Sequence, residues 1–426
     1  MLVLLLVFIA VLNFYILAKI EHFCCSLPWI VYGFWTIQIF FVRIIFFSEL
    51  WYDWGLVFIQ LSIFVFCISY IVGQYGLLRK TKRLSPVVVF RDARFHERII
   101  QCLTVLGIIS VIVFLNERGV SFSTLIKKGL FKINSELAYQ RYYKDVQSST
   151  LSSILGIIPN CLVLYTGIVQ GIYGIKKRFL LLSFIPEALI LITANTKSGM
   201  IAAVIFYTAG FCVGYILRFH NDFYLRRKQF LYVLFLGCVI IFLLYLSMVF
   251  RLGAFNKSNF VIAGKKFSSY AFGHIVAFDQ WFRKKPQIDE YTLGRYTFYS
   301  IFDQLGIYKR EQGIYHELIN HAGISTNVYT IYRGFITDFS CIGTVVIHII
   351  LGFIAGRITC KIKLNKISAI NVVFLILVQI LYCYYVVSVL SYTTYLCMFV
   401  LLYCLLLSTN LLRGKNHWWK ILKYYK

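Results

Sequence analysis

Charged side chains are scarce in this 426-residue chain. They make up 14% of it, with only 17 acids against 43 Lys and Arg, while 60% of the residues are hydrophobic. At a mean hydropathy of +0.75 the chain is too apolar for water, which excludes a soluble enzyme and makes lipid its expected solvent. No CxxC pair occurs, and no cysteine falls between Cys102 and Cys161 or between Cys238 and Cys341. The 12 cysteines read as small hydrophobes within apolar runs, so neither disulfides nor a zinc site are expected. There is no internal repeat, no low-complexity linker and no Walker or Rossmann glycine pattern. ATP and nucleotide-sugar binding are left without support, and no cofactor is implied.

What the chain has in abundance is apolar sequence in runs long enough to cross a hydrocarbon core of about 30 Å, where only helices satisfy their own backbone. The runs predict spans at roughly 1–18, 27–47, 54–72, 99–115, 151–173, 179–195, 199–217, 229–250, 339–357, 368–388 and 390–411. The expectation is an all-α polytopic protein of about eleven transmembrane helices, a single membrane domain over 1–426. Leu17-Ala18 runs straight into Lys19 with no basic stretch before the first span, so that span is expected to be a retained anchor.

The formal charge of +26 first has to be divided between the two sides of the membrane. Arg79, Lys80, Lys82, Arg83, Arg91, Arg94 and Arg98 share one connection; Lys176 to Arg178, Arg226 to Lys228, then Lys361, Lys363 and Lys366 fill alternate later ones. These connections are cytoplasmic by the positive-inside rule, which puts the amino terminus outside and the carboxyl terminus inside. Most acids, among them Asp53, Glu117, Asp279, Glu317 and Asp338, then fall outside. The charge is mainly a topology signal, and nucleic acid is not a partner. The basic and aromatic tail Trp418–Tyr425 reads as an interfacial anchor on the lipid bilayer.

Two segments expected outside, 116–150 and 251–338, are far longer than the roughly six residues a helix connection needs. Together with the turn at Lys197 they keep basic residues where the topology rule disfavours them, including Arg118, Arg141, Arg251, Lys265, Lys266, Arg283 and Arg333. Something anionic is expected on that face, and a lipid diphosphate suits arginine forks, although anionic headgroups account for some of these residues. Lys197 and Ser198 sit in a tight turn between two spans, and Arg251 follows a span directly in Met248-Val-Phe-Arg251. Both positions fit a phosphate at the membrane boundary, and both fit a snorkelling anchor. Asn327, Thr330, Gly334 and Asp338 have helical spacing and would share one face, with His321 above them as a candidate base. Glu187 and Arg43 are ionisable groups within apolar spans, either functional or buried partners of other helices.

This layout, with the turn Lys197-Ser198-Gly199, Arg251 opening the large loop, and Asn327-Val-Tyr-Thr…Arg333…Asp338-Phe…Gly343, resembles the O-antigen polymerases (Wzy-type) of the O-antigen ligase and polymerase family. His321 before Asn327 is similar to the ligase motif, with looser spacing. The resemblance implies a GT-C-like helix bundle in a bacterial inner membrane with two large periplasmic loops. It implies metal-independent transfer of a glycan from undecaprenyl diphosphate to an incoming lipid-linked repeat unit, with a chain-length regulator and a flippase as candidate partners. Arg251, His321 and Asp338 are then the expected catalytic residues, and Arg141, Lys197, Ser198, Asn327 and Arg333 the substrate-binding ones. Tyr291, Tyr296, Tyr299 and Trp281 supply faces for sugars. An O-antigen ligase differs only in its acceptor. A flippase for the same lipid-linked oligosaccharide predicts charge-lined spans and short loops, which this chain lacks.

Overall fold

A computed structural model describes residues 2–21, 25–47, 49, 51–78, 93–143, 149–194, 197–224, 227–252, 256–284, 291–308, 314–321, 323–384, 386–409 and 411. The basic stretch 79–92, Asn195 and Thr196, Gly253, Asp289 and Glu290, Glu311 and the tail 412–426 lie outside the described residues.

The chain is an all-α membrane protein, about 81% helical, and a single two-stranded ribbon accounts for the strands among the described residues. In chain order the helices are α1 (Leu2–Ile20), α2 (Leu27–Ile45), α3 (Trp54–Leu78), α4 (Ala93–Glu117), α5 (Phe122–Tyr143), α6 (Thr150–Leu155) and α7 (Ile157–Tyr173). Then come α8 (Lys177–Ala194), α9 (Lys197–Phe219), α10 (Arg227–Arg251), α11 (Lys257–Lys284) and α12 (Tyr299–Gln304). The antiparallel strands β1 (Ile319–His321) and β2 (Ile324–Thr326) precede α13 (Ile331–Lys363), α14 (Ala369–Cys383) and α15 (Thr393–Ser408).

Every apolar run expected to span falls on a helix, and among the described residues seven helices are long and apolar enough to cross a membrane. These are α1, α2, α3, α4, α6 with α7, α9 and α13. Three of the remaining four fall short for visible reasons, while of α10 the described apolar stretch is Gly237–Val249. Helix α8 carries Lys177, Arg178 and Glu187 in 18 residues, and α14 and α15, at 15 and 16 residues, reach about 23 Å at 1.5 Å per residue.

Lipid tails give apolar helices no reason to prefer one another, so close backbone packing has to supply the specificity. Three glycine pairs four residues apart do so: Gly167 and Gly171 on α7, Gly210 and Gly214 on α9, and Gly352 and Gly356 on α13. A side chain at Gly167, Gly171, Gly210 or Gly214 would run into backbone of the partner helix, and one at Gly352 or Gly356 would meet the carbonyl of Phe66 or Tyr70 on α3. Gly107 on α4 leaves room in the same way for Pro186 in the middle of α8. Glu187 beside that proline is buried at 4% exposure, so α8 holds its acid against the bundle.

Both long connections fold onto one end of the bundle. In the first, α5 kinks at Gly129 (φ 73°) and packs Ile133 and Leu137 against Phe114, Leu115, Ile190 and Ala194. In the second, the buried second half of α11 carries the β ribbon, with Gly273 against Thr326. Helix α12 is pinned to the turn Val389–Ser391 between α14 and α15, where Ser300 Oγ donates to the Leu390 carbonyl at 2.9 Å.

Candidate functional site

Helix α13 is two helices. Ser340 takes φ 69°, ψ 173°, a left-handed conformation that breaks the hydrogen-bond ladder, and its hydroxyl accepts from Gly343 N at 3.1 Å as a cap for the long second part. The short first part, beginning at Ile331 after the cap residue Thr330, presents Arg333 to the long-loop end. Asn327 and Thr330 precede this helix, so the helical stripe expected from Asn327, Thr330, Gly334 and Asp338 does not form. Extended backbone at Thr330 (φ −71°, ψ 160°) puts the helix start four residues later than the spacing suggested.

Arg333 stands in an aromatic cage. Its guanidinium centre lies 3.9 Å from the ring of Tyr329, 4.3 Å from that of Tyr315 and 5.2 Å from that of Trp281. Nη2 is 3.2 Å from Glu317 Oε2, whose other oxygen is 3.7 Å from Lys284 Nζ. Nη1 is buried with no hydrogen-bond partner. The side chain is 13% exposed, so that donor is presented at low dielectric, where a charge-assisted bond is stronger than in water. Burial pushes the Tyr315 and Tyr329 phenols above their usual range, with Arg333 opposing, so both stay neutral. Asn327 holds the cage wall, its Nδ2 donating to the Tyr315 carbonyl at 3.2 Å.

Asp338 is fully buried and its carboxylate is saturated. It accepts from Thr292 Oγ1 at 2.5 Å, Tyr296 N at 3.0 Å, Thr297 N at 2.7 Å and Thr297 Oγ1 at 2.6 Å. It holds the loop 292–297 against α13, and with it the ring of Tyr296, which lies parallel to Tyr315 at 5.2 Å and 11°.

A second cluster adjoins the β ribbon. The ring of His321 meets Trp51 edge-on at 6.0 Å, Arg43 lies 5.1 Å from the Trp51 ring centroid, and Arg43 Nε is 3.0 Å from Asp53 Oδ1. His321 Nε2 is buried without a hydrogen-bond partner. Asp279 on α11 accepts Tyr52 N at 2.9 Å. Burial raises the Asp279 carboxyl to about 7, and nearby Asp53 adds to the rise. The Asp53 carboxyl is itself raised by burial, with Arg43 opposing.

This raised acid has a measurable consequence. Asp279 contributes most to stability below its ordinary value of 3.8, and the contribution declines as pH climbs towards about 7 because folding then has to bury a charge. The melting temperature is expected to fall between pH 5 and pH 8. Asp279→Asn should flatten that fall without abolishing it, since Asp53 titrates in the same direction. An unchanged slope in the variant would remove Asp279 as its source.

The remaining expected site residues are spread out. Lys197 opens α9, with Nζ 5.9 Å from the ring of Tyr270 on α11, eleven residues before Trp281 and so about 16 Å along the helix axis. Ser198 is exposed beside it. Arg141 lies near the end of α5 and Arg251 is the last residue of α10; their side chains lie outside the described residues. Of the four aromatics expected to face sugars, Tyr299 is buried at 4% and Trp281 at 3%, Tyr296 is half-buried and Tyr291 is exposed. Among the described residues no group of three His, Cys, Asp or Glu is arranged to hold a metal.

No family model, curated protein or solved structure matches this chain. The site therefore has to be judged by its own chemistry. Sequence reasoning passed over Tyr315, Tyr329 and Glu317 as parts of one cage, and over the Asp53 and Asp279 pair. Tyr329-x-x-x-Arg333, an aromatic residue four positions before the arginine, was the available signal.

Proposed function

We propose that this chain is a membrane glycosyltransferase that polymerises lipid-linked oligosaccharide repeats on the outer face of a bacterial inner membrane. The observation that carries this reading is the Arg333 cage: a planar cation fixed by three rings and a carboxylate, keeping one buried N–H unsatisfied. In the reaction, the bond from the anomeric carbon to the lipid diphosphate breaks and its electron pair leaves with the diphosphate. The acceptor hydroxyl oxygen bonds to that carbon and gives up its proton. Arg333 offsets the charge on the departing diphosphate, a task that preorganised donors perform without metal. His321 Nε2, unpartnered beside Trp51, takes the proton. Asp338 is a positioning residue that acts through the loop 292–297. Lys197 and Ser198, at the start of α9, offer a further anionic contact at the membrane boundary, and Arg251 and Arg141 are kept as site candidates on their sequence positions alone.

Purified protein in lipid nanodiscs, given the undecaprenyl-diphosphate-linked repeat of its host, is expected to make products differing by one repeat, and to do so in excess EDTA. Transfer of single repeats to a lipid A core, with no longer product, would make it a ligase. Loss of all products in EDTA, restored by one divalent ion, would refute the metal-free step.

A further inference from the structure

A second guanidinium stands beyond the cage. Arg295 lies 4.4 Å from the ring of Tyr308 and 5.8 Å from that of Tyr296. Tyr296 is the partner of Tyr315 in the parallel pair, and Tyr315 is a wall of the Arg333 cage. Each arginine therefore stands on a different member of the tyrosine pair, and Asp338 fixes the backbone from which Tyr296 projects.

The two arginines differ in what they lack. Arg333 has Glu317. Arg295 has no carboxylate within ion-pair distance among the described residues, and its Nε is buried without a hydrogen-bond partner. It is nevertheless held in place by two aromatic faces and is reachable from solvent, since Arg295 and Tyr308 are half-buried and Leu293 and Leu305 beside them are exposed at 76% and 67%. A cation ordered by rings, with no carboxylate beside it among the described residues, is suited to an anion that arrives from outside. With the Tyr296 and Tyr315 rings between the two arginines, that anion belongs to a group removed from the diphosphate. Rings beside a guanidinium fork match a sugar that offers C–H faces to the rings and a planar carboxylate to the fork.

We propose that Arg295, Tyr296 and Tyr308 form a glycan subsite for an acidic sugar, so that the repeat unit this chain handles carries a uronic acid. The proposal rests on reading Arg333 as the diphosphate site. Its test uses full-length protein in detergent, titrated with a linear tetragalacturonate and a neutral glucose tetrasaccharide of equal length. The acidic chain is expected to bind about tenfold more tightly, the scale of one charge-assisted hydrogen bond. Arg295→Gln should remove that preference while keeping the neutral affinity, which shows the variant folded, and Arg295→Lys should recover part of it. Tyr308→Ala should weaken both ligands. Lys265→Gln with Lys266→Gln, which changes exposed charge on α11, should leave the preference intact. Equal affinity for the two ligands overturns the proposal, as does a preference that survives Arg295→Gln or vanishes with the two lysines. Chain elongation without acid preference leaves the polymerase reading standing and removes only the subsite; acid preference without elongation does the reverse.

Discussion

Replacing Arg333 with alanine is expected to slow repeat-unit transfer by about 10²- to 10³-fold, the usual cost of losing one preorganised donor to a developing oxyanion. The size follows from its surroundings. Three rings and Glu317 fix the guanidinium, so on the proposed reading almost no reorganisation would be needed to meet charge on a departing diphosphate. Arg333→Lys keeps the charge but loses the planar stack and the fork, and should restore only a small part of the rate. The loss should appear in kcat, because the donor acts on charge that develops in the transition state. The fold should survive, since Glu317 keeps Lys284 at 3.7 Å and the tyrosine pair does not depend on Arg333. Size-exclusion profile and melting temperature check that point. Near-normal turnover by a well-folded Arg333→Ala protein would reduce the cage to packing.

The largest effect on stability is expected at Gly356. A methyl group there overlaps the carbonyl of Tyr70, and backbone cannot swing aside as a side-chain tip can. The pair Gly352 and Gly356 faces Phe66 and Tyr70 on α3, so Gly356→Val forces α3 and α13 apart along their whole contact. Overpacking of this kind costs about 1–3 kcal/mol where neighbours can relax, and more where they cannot. Little monodisperse protein should be recovered, and what is recovered should melt earlier. Gly264→Ala on α11 is the matched control: nothing lies within 4 Å of its added carbon, and alanine favours a helix by about 1 kcal/mol over glycine. Equal yield and melting temperature from Gly356→Val and wild type would mean that the two helices do not pack this closely.

Hydropathy was enough to find the helices, because a bilayer leaves a long apolar run no other way to satisfy its backbone. Among the described residues seven helices reach spanning length and apolarity, and α14 and α8 stay outside that set, the one for its length and the other for its charges. Helix pairing was also written in the sequence, in GIVQG, GFCVG and GFIAG, but attention to charged residues passes over glycine. At the site, Arg333 and Asn327 stand out as a local motif. Their partners do not, because Trp281 and Tyr315 come from other elements and only folding brings them to one guanidinium. Asp338 illustrates the limit most clearly: spacing suggested an acid on one helical face with Asn327, Thr330 and Gly334, whereas four donors from residues 292–297, more than forty positions earlier, consume its oxygens.

The break at Ser340 has a mechanical meaning. A continuous helix would transmit any change of tilt, forced by a thicker or thinner bilayer, straight to Arg333. The left-handed residue interrupts that lever between Phe339 and Cys341, while Asp338 ties the short segment to its own loop. The span below can change tilt only together with α3, to which Gly352 and Gly356 lock it, and the loop, not that tilt, holds the guanidinium in place.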